Sequence, residues 1–539
     1  MMLLALMVIP IATALAIAAG PVRLARVSAA FGSVAVLGLT IGAMAAFDWS
    51  DAAAFQFGFS IPLVAELGVT LSGGVDSVAM WLIVLTALLQ PLCVWGSFTA
   101  ITDREKTYYA WLMALQAAMI GVFAARDLIF FYVCFEFTLL PMWILINLYG
   151  STNRRKAATK FFLFTFTGSI IALAGLVYVA YVAAIRASTV PGQLGAWSFD
   201  IATLEAAARA MSLREQALVL LALMAGFAVK VPLFPLHTWL PLAHTEAPTA
   251  GSVILAGVLL KLGTYAIYRF VLPFVPVAVH EYAELIAVIC IIGILYGGLI
   301  CWVQRDVKKL VAYSSVAHLG FCILGMFALN GTGLAGSVMY MINHGLSTGA
   351  LFFCIGFMYE RYHTRSLEEV GGLASRMPIW SFFVVFFSMA SVGLPGLNGF
   401  VSEFLCLLGA FQSGSISLGV GGSEGPLGPW FAAVAGAGMI VAAIYLLFMV
   451  GKVVFGPLRE PPGHHHHGPL PVDLSRREVA VLVPLALGCL VLGVFPTPVL
   501  RTLEAPIEQT LAVVQANVSE RSQLAAGNEA GAAGEEDAR

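Results

Sequence analysis

Phe227-Ala-Val-Lys230-Val-Pro-Leu-Phe-Pro-Leu-His237-Thr-Trp-Leu-Pro-Leu-Ala-His244-Thr-Glu-Ala-Pro-Thr-Ala-Gly-Ser-Val-Ile-Leu-Ala-Gly-Val-Leu-Leu-Lys261 is the stretch on which the reading of this chain turns. It sets two lysines inside apolar sequence and interrupts the chain between them with prolines. A cation at membrane depth costs several kcal/mol unless it is paired, deprotonated or wetted, so its retention points to function. Irregular backbone at that depth survives only where it faces protein or a wet cavity.

The remainder of the sequence supports a membrane setting. Of 539 residues, 60% are hydrophobic and 11% charged, and the mean hydropathy is +0.91, which excludes a soluble globular surface. The net charge of -2 and the lack of a basic patch with interleaved aromatics give no sign of a nucleic-acid partner. All eight cysteines are scattered through apolar segments without a C-x-x-C pair, so no thiolate-held cluster or zinc is expected. The first twenty residues lack a basic leader, which predicts a retained first span.

Apolar runs long enough to cross ~30 Å of hydrocarbon fall near 1–20, 27–47, 75–100, 107–125, 127–149, 159–185, 215–233, 249–273, 281–303, 309–329, 334–359, 378–411, 428–456 and 477–498. An all-α polytopic membrane protein of about fourteen helices follows. The seventh run ends in Lys230-Val-Pro232-Leu-Phe-Pro235, and the twelfth contains Gly393-Leu-Pro395-Gly396-Leu-Asn398-Gly399. Both are expected to be discontinuous.

Organisation divides the chain into three N-terminal helices (1–106), two five-helix sets (107–273 and 281–456), a loop with the last helix (457–498) and a tail (499–539). Each set has its broken helix fourth in order, and an odd number of helices per set makes the two sets inverted repeats. Paired, interrupted segments in two halves are a sequence pointer to a transporter's working site. The tail from Ala516 to Arg539 reads as disordered, and His464 to His467 as a solvated loop or, as the alternative, a metal-binding tract.

Loop charge orients the chain. Odd-numbered loops carry eighteen Lys and Arg residues against five in the even-numbered loops. The positive-inside rule therefore puts the odd loops in the cytoplasm and both termini outside. Only the segment Phe234 to Pro248, after the seventh run, lacks a basic residue where one is expected.

Four more titratable groups join the lysines at depth. At 1.5 Å per residue, Glu136 lies about 14 Å beyond Asp127, and His318 equally far beyond Lys309. His344 and Glu403 fall inside their own runs. Glu136, Lys230, Lys261, His318, His344 and Glu403 thus come from six helices to one plane, the arrangement a proton relay needs. A carboxylate moving toward or away from a buried lysine switches it between holding and releasing a proton, and imidazole passes protons between its two nitrogens. Ser314, Ser315 and Thr348 are candidates to hold intervening waters. The structural alternatives are static ion pairs for the lysines, a backbone bond near Pro141 for Glu136, single-partner burial for the histidines and a helix cap for Glu403. Asp306, Lys308 and Lys309 read as an interfacial anchor. His237, His244 and Glu246 resemble metal ligands by type, but their spacing fits no helical ligand pattern.

The opening stretch, together with Asp306-Val-Lys-Lys-Leu-Val-Ala-Tyr-Ser-Ser-Val-Ala-His318, Asn343-His344-Gly and Gly393-Leu-Pro-Gly-Leu-Asn-Gly-Phe-Val-Ser-Glu403-Phe, resembles the signature of the antiporter-like subunits of respiratory complex I. The likeness covers roughly residues 75–456, and a glutamate at 403, where sister subunits have lysine, is similar to one branch of that family. The resemblance implies that Glu136 tunes Lys230, the central proton-holding lysine, that Lys261 and His318 connect, that His344 lies on the same axis, and that Glu403 faces the exit or the next subunit. Leu242 stands where relatives often have a polar residue, so no role carries over to it. The implied function is proton translocation in a NADH:quinone oxidoreductase of a bacterial inner membrane, beside sister antiporter-like subunits. No cofactor is implied in this chain; flavin, iron–sulfur clusters and quinone belong to partner subunits. The rival readings are a Na⁺/H⁺ antiporter subunit, a membrane subunit of a related hydrogenase, and a structural scaffold.

The orientation has a direct check. A cysteine at Thr152 is expected to react with an impermeant thiol reagent only from the cytoplasmic face, and one at Ala196 only from the opposite face. Labelling of both from one side contradicts the assignment.

Overall fold

A computed structural model describes residues 1–188, 190, 193–414, 425–461 and 472–537. The chain opens with α1 (Met2–Ala19) and α2 (Ala25–Ala46), then a hairpin of β1 (Gln56–Val64) and β2 (Val69–Val75). There follow α3 (Ser77–Gly96), α4 (Glu105–Ala124), α5 (Leu128–Phe137), α6 (Leu139–Tyr149), α7 (Arg154–Arg186), α8 (Ile201–Arg209), α9 (Leu213–Lys230) and α10 (Leu240–Glu246). The next transmembrane helix, Thr249–Phe274, holds α11 (Thr249–Ile254), α12 (Leu260–Ala266) and α13 (Leu272–Phe274), separated by π turns at Leu255–Leu259 and Ile267–Val271. After α14 (Pro276–Glu281) come α15 (Ala283–Trp302), α16 (Val307–Phe327), α17 (Gly331–Tyr362), α18 (Pro378–Val392), α19 (Asn398–Gln412), α20 (Pro429–Val453), α21 (Arg476–Val494) and α22 (Thr497–Asp537).

Among the described residues, twelve helices are long and apolar enough to cross a membrane. The other two predicted runs are the interrupted ones, and each is in two pieces: α9 with α10, and α18 with α19. The first break has a plain cause. Pro232 and Pro235 cannot donate to a helical ladder, and Trp239 Nε1 instead reaches back to the Val229 carbonyl at 2.9 Å. At the second, Gly393 and Gly396 take φ of +82° and +93°, a region glycine enters without a Cβ clash.

Burial follows position in the bundle. The windows of Thr249–Phe274 and Gly331–Tyr362 are wholly buried, whereas α1, α2 and α21 bury about a third or less. The outer helices therefore leave apolar faces such as Leu15, Phe31 and Leu487 exposed, as a lipid-facing surface should.

Four features differ from the sequence reading. The hairpin β1–β2 is a small sheet in a chain expected to be all-helical; Asp127 Oδ2 ties it down by accepting from the Thr70 amide and hydroxyl at 3.3 and 3.1 Å. Residues 516–537, expected to be disordered, continue α22, whose buried stripe of Val499, Leu503, Ile507, Leu511 and Val514 lies ahead of them. Tyr268 fixes this helix at the Pro506 carbonyl, 3.2 Å away. The Phe234–Pro248 segment contains the half-helix α10. Finally, Lys308 is no surface anchor. It is 6% exposed and donates to the Ala247 carbonyl at 2.6 Å, closing the end of α10. His464 to His467 lie outside the described residues.

Arg361 and Glu478 form a bidentate pair at 2.9 and 2.8 Å, with side chains 1% and 0% exposed, and join the end of α17 to the start of α21. Removing one member of a buried pair costs about 3–5 kcal/mol. Glu478→Ala is expected to lower the thermal midpoint of the detergent-solubilised assembly; an unchanged melting curve contradicts this role.

Candidate functional site: a buried row of acids, bases and lysines

The six predicted residues occupy six different helices. Glu136 is on α5, Lys230 ends α9, Lys261 is on α12, His318 on α16, His344 on α17 and Glu403 on α19. Five are buried within the chain; Glu136 is partly exposed at the flank.

The first group is built around Lys230. Its Nζ donates to Thr138 Oγ1 at 3.1 Å and the Phe135 carbonyl at 3.4 Å, and lies 4.0 Å from the Phe135 ring centroid. Thr138 stands at the junction of α5 and α6. Glu136, two residues earlier, lies within electrostatic reach of Lys230, while its Oε1 has no protein hydrogen bond. The carboxylate is therefore close enough to bias the ammonium without being locked to it.

A second group runs from Lys261 to Glu403. Lys261 Nζ lies 2.7 Å from His344 Nδ1 and also donates to the Ala256 carbonyl, which belongs to the π turn one turn earlier. The rings of His344 and His318 lie 5.9 Å apart between centroids. His318 Nδ1 is 2.8 Å from the Tyr340 hydroxyl and 3.2 Å from Glu403 Oε1, and Tyr340 donates to the same oxygen at 2.5 Å. Tyr445, on α20, closes the far side at 3.4 Å from His318 Nε2. Glu403 does not cap its half-helix; its second oxygen packs against Gly393, where a Cβ would come within 2.6 Å.

The groups are not continuous. Lys230 points toward α5 and Lys261 toward α17. Beside Lys230 is a closed apolar void bounded by Phe161, Trp239, Leu255, Leu259 and Leu260, with no room for a water. Close packing still couples the two helices mechanically, because a Cβ on Gly263 would sit 3.1 Å from Lys230 Cβ.

His237, His244 and Glu246 do not converge. His237 stacks on Phe234, and Glu246 accepts from Ser151 Oγ at 2.6 Å and the Asn153 amide at 2.9 Å. His244 lies flat on Phe352, ring centroids 4.6 Å apart, fully buried and with neither nitrogen bonded to protein. Electrostatically it feels both Lys308 and Lys261. The eight cysteines are all free. Thr138, Tyr340 and Tyr445 escaped the sequence reading. Tyr340 alone left a trace there, lying one turn before His344 on the same helical face.

Residues 125–424 match the family model described as the membrane domain of NADH:quinone oxidoreductase and Mrp antiporters. Subunit M of the NADH-quinone oxidoreductase from Rhodobacter capsulatus is 39% identical over 465 residues, covering 86% of each chain. The chain belongs to the subunit M family of NADH-quinone oxidoreductases. Among solved structures, respiratory complex I from Thermus thermophilus superposes with a TM-score of 0.81 at 28% identity, over 95% of this chain and 100% of that one. An Mrp complex from Dietzia gives 0.76 at 21% identity, over 95% of this chain and 99% of that one; this likeness concerns the fold alone. Family membership makes the chain an antiporter-like, multi-pass membrane subunit, and the two broken helices and the buried row are the parts of that fold to be explained.

The Lys261–His344 contact gives a local test. His344→Leu leaves the Lys261 ammonium with the Ala256 carbonyl as its one hydrogen-bond partner, a loss of about 1–3 kcal/mol for a charged buried donor. Proton pumping by the assembled complex is expected to fall at least tenfold; an undiminished rate contradicts the pairing's importance.

Proposed function

We propose that this subunit carries protons across the membrane through Glu136, Lys230, Lys261, His344, His318 and Glu403, driven by redox chemistry in partner subunits. The observation that carries the reading is the series Lys261, His344, His318, Tyr340 and Glu403, hydrogen-bonded at Lys261–His344 and from His318 through Tyr340 to Glu403, with the His344 and His318 rings facing each other at 5.9 Å between centroids. Each neighbour is a proton donor or acceptor, and the histidine-to-histidine step is the one link not already a hydrogen bond.

The apolar void beside Lys230 acts as the control point. With Glu136 drawn toward Lys230, the lysine keeps its proton. When the carboxylate's influence weakens, the lysine releases the proton toward α12, and the void must open and wet to let it pass. One charge crossing ~100 mV costs about 2.3 kcal/mol, within reach of a single buried ion-pair rearrangement.

The partners are the other membrane-arm subunits of a complex I assembly, sister antiporter-like subunits foremost, in a bacterial inner membrane with both termini outside. Flavin, iron–sulfur clusters and the quinone site are assigned to those partners, so the subunit takes part in the oxidoreductase without a redox centre of its own. The two five-helix sets act as inverted repeats that place one broken helix on each side of the row. The Na⁺/H⁺ alternative shares the fold but has no separate observation in its favour.

Lys230→Ala separates transport from scaffolding. The complex is expected to assemble with its flavin and iron–sulfur absorbance while acidification per NADH oxidised falls at least tenfold. Full pumping by that variant would mean the row is structural, and a Na⁺ requirement for pumping would favour the antiporter reading.

A further inference from the structure

The half-helix that carries Glu403 has no helical continuity with the segment before it. Between α18 and α19 the chain runs through Gly393 and Gly396 in left-handed conformations, and α19 begins without a side-chain cap. Its rotation and height must therefore be set from the side. A slip of one residue moves a helix by about 1.5 Å and turns each side chain about 100°, enough to break both Glu403 contacts.

Lateral contacts with α17 supply the missing register. Asn343 Nδ2 donates to the Asn398 carbonyl at 2.8 Å, and Asn398 Nδ2 returns a bond to the Asn343 carbonyl at 3.1 Å. Asn343 also reaches Ser402 Oγ at 3.3 Å. Both asparagines are 0% exposed. Turning either amide over would set oxygen against carbonyl oxygen, so the reciprocal arrangement fixes their orientation. At the opposite end of the same helix pair, Asn330 Nδ2 donates to the Gly409 carbonyl at 2.8 Å. Between these ties the backbones nearly touch: a Cβ on Gly336 would lie 2.7 Å from the Cys406 amide nitrogen. Glu403 sits in the middle, across from Tyr340.

Stability alone does not account for the pair. Both Oδ1 atoms are buried without a protein donor, and an unmet buried acceptor is costly, whereas two apolar side chains of similar shape are not. We propose that Asn343 and Asn398 are positioning residues of the proton path, a reciprocal clasp that sets the register of the Glu403 half-helix against His318 and Tyr340. The inference rests on the transport role proposed above.

The test uses Asn343→Leu, Asn398→Leu and the double variant in the assembled complex in membrane vesicles, scoring acidification per complex and its pH profile. Each single variant removes one of the two side chain-to-backbone bonds and is expected to lose about tenfold and to shift the pH profile, because His318, Tyr340 and Tyr445 no longer surround Glu403 in the same way; the double variant, which removes both, is expected to lose at least as much. A milder change, Ser402→Ala, removes only the 3.3 Å tie and is expected to cost two- to threefold with a shift in the same direction, whether or not the leucine variants assemble. Unchanged pumping per complex with an unchanged pH profile overturns the clasp, even if assembly yield falls. Lys230→Ala, run alongside, keeps the two ideas apart: if it pumps fully, the path itself is wrong, whereas if it fails while the asparagine and serine variants behave normally, only the clasp is.

Discussion

Charge burial governs this molecule. Lys230 and Lys261 are held in surroundings where an isolated ammonium is unstable, and neighbouring structure is bent to accommodate them. Thr138 and the Phe135 carbonyl meet Lys230 at a helix junction, and a π turn presents the Ala256 carbonyl to Lys261. Such local departures from regular helix are where membrane proteins find extra hydrogen-bonding groups without water.

The same constraint divides the interior into wet-capable and dry parts. From Lys261 to Glu403 the helices offer donors and acceptors at close intervals, whereas Phe161, Trp239 and three leucines seal the space beside Lys230.

Much of this was legible in residue type and spacing. Pro232, Pro235 and the Gly393–Gly399 run marked the two broken helices because proline and glycine act on the backbone wherever they stand. That the six ionisable groups lie within helices, five of them buried, followed from their place in apolar runs. What spacing could not supply was direction: nothing in the sequence separates a Lys230 aimed at α5 from one aimed at Lys261. Lys308 was misjudged because its place at a helix start suits both an exposed anchor and a buried strut. The Ala, Gly and Glu content of residues 516–537 offers no apolar stripe from which to read their helix; the four-residue spacing of Val499, Leu503, Ile507 and Leu511 traces a helix face only ahead of them.

The π turns at Leu255–Leu259 and Ile267–Val271 flank the seven residues of α12 that hold Lys261. Each wide turn places slack in the ladder of amides and carbonyls, so this short rod is joined at both ends to looser couplings. It can pivot while the outer portions of the same helix stay gripped by their neighbours. A change of partner by one ammonium group is thereby confined to a few residues, and the bundle need not be remade at every cycle.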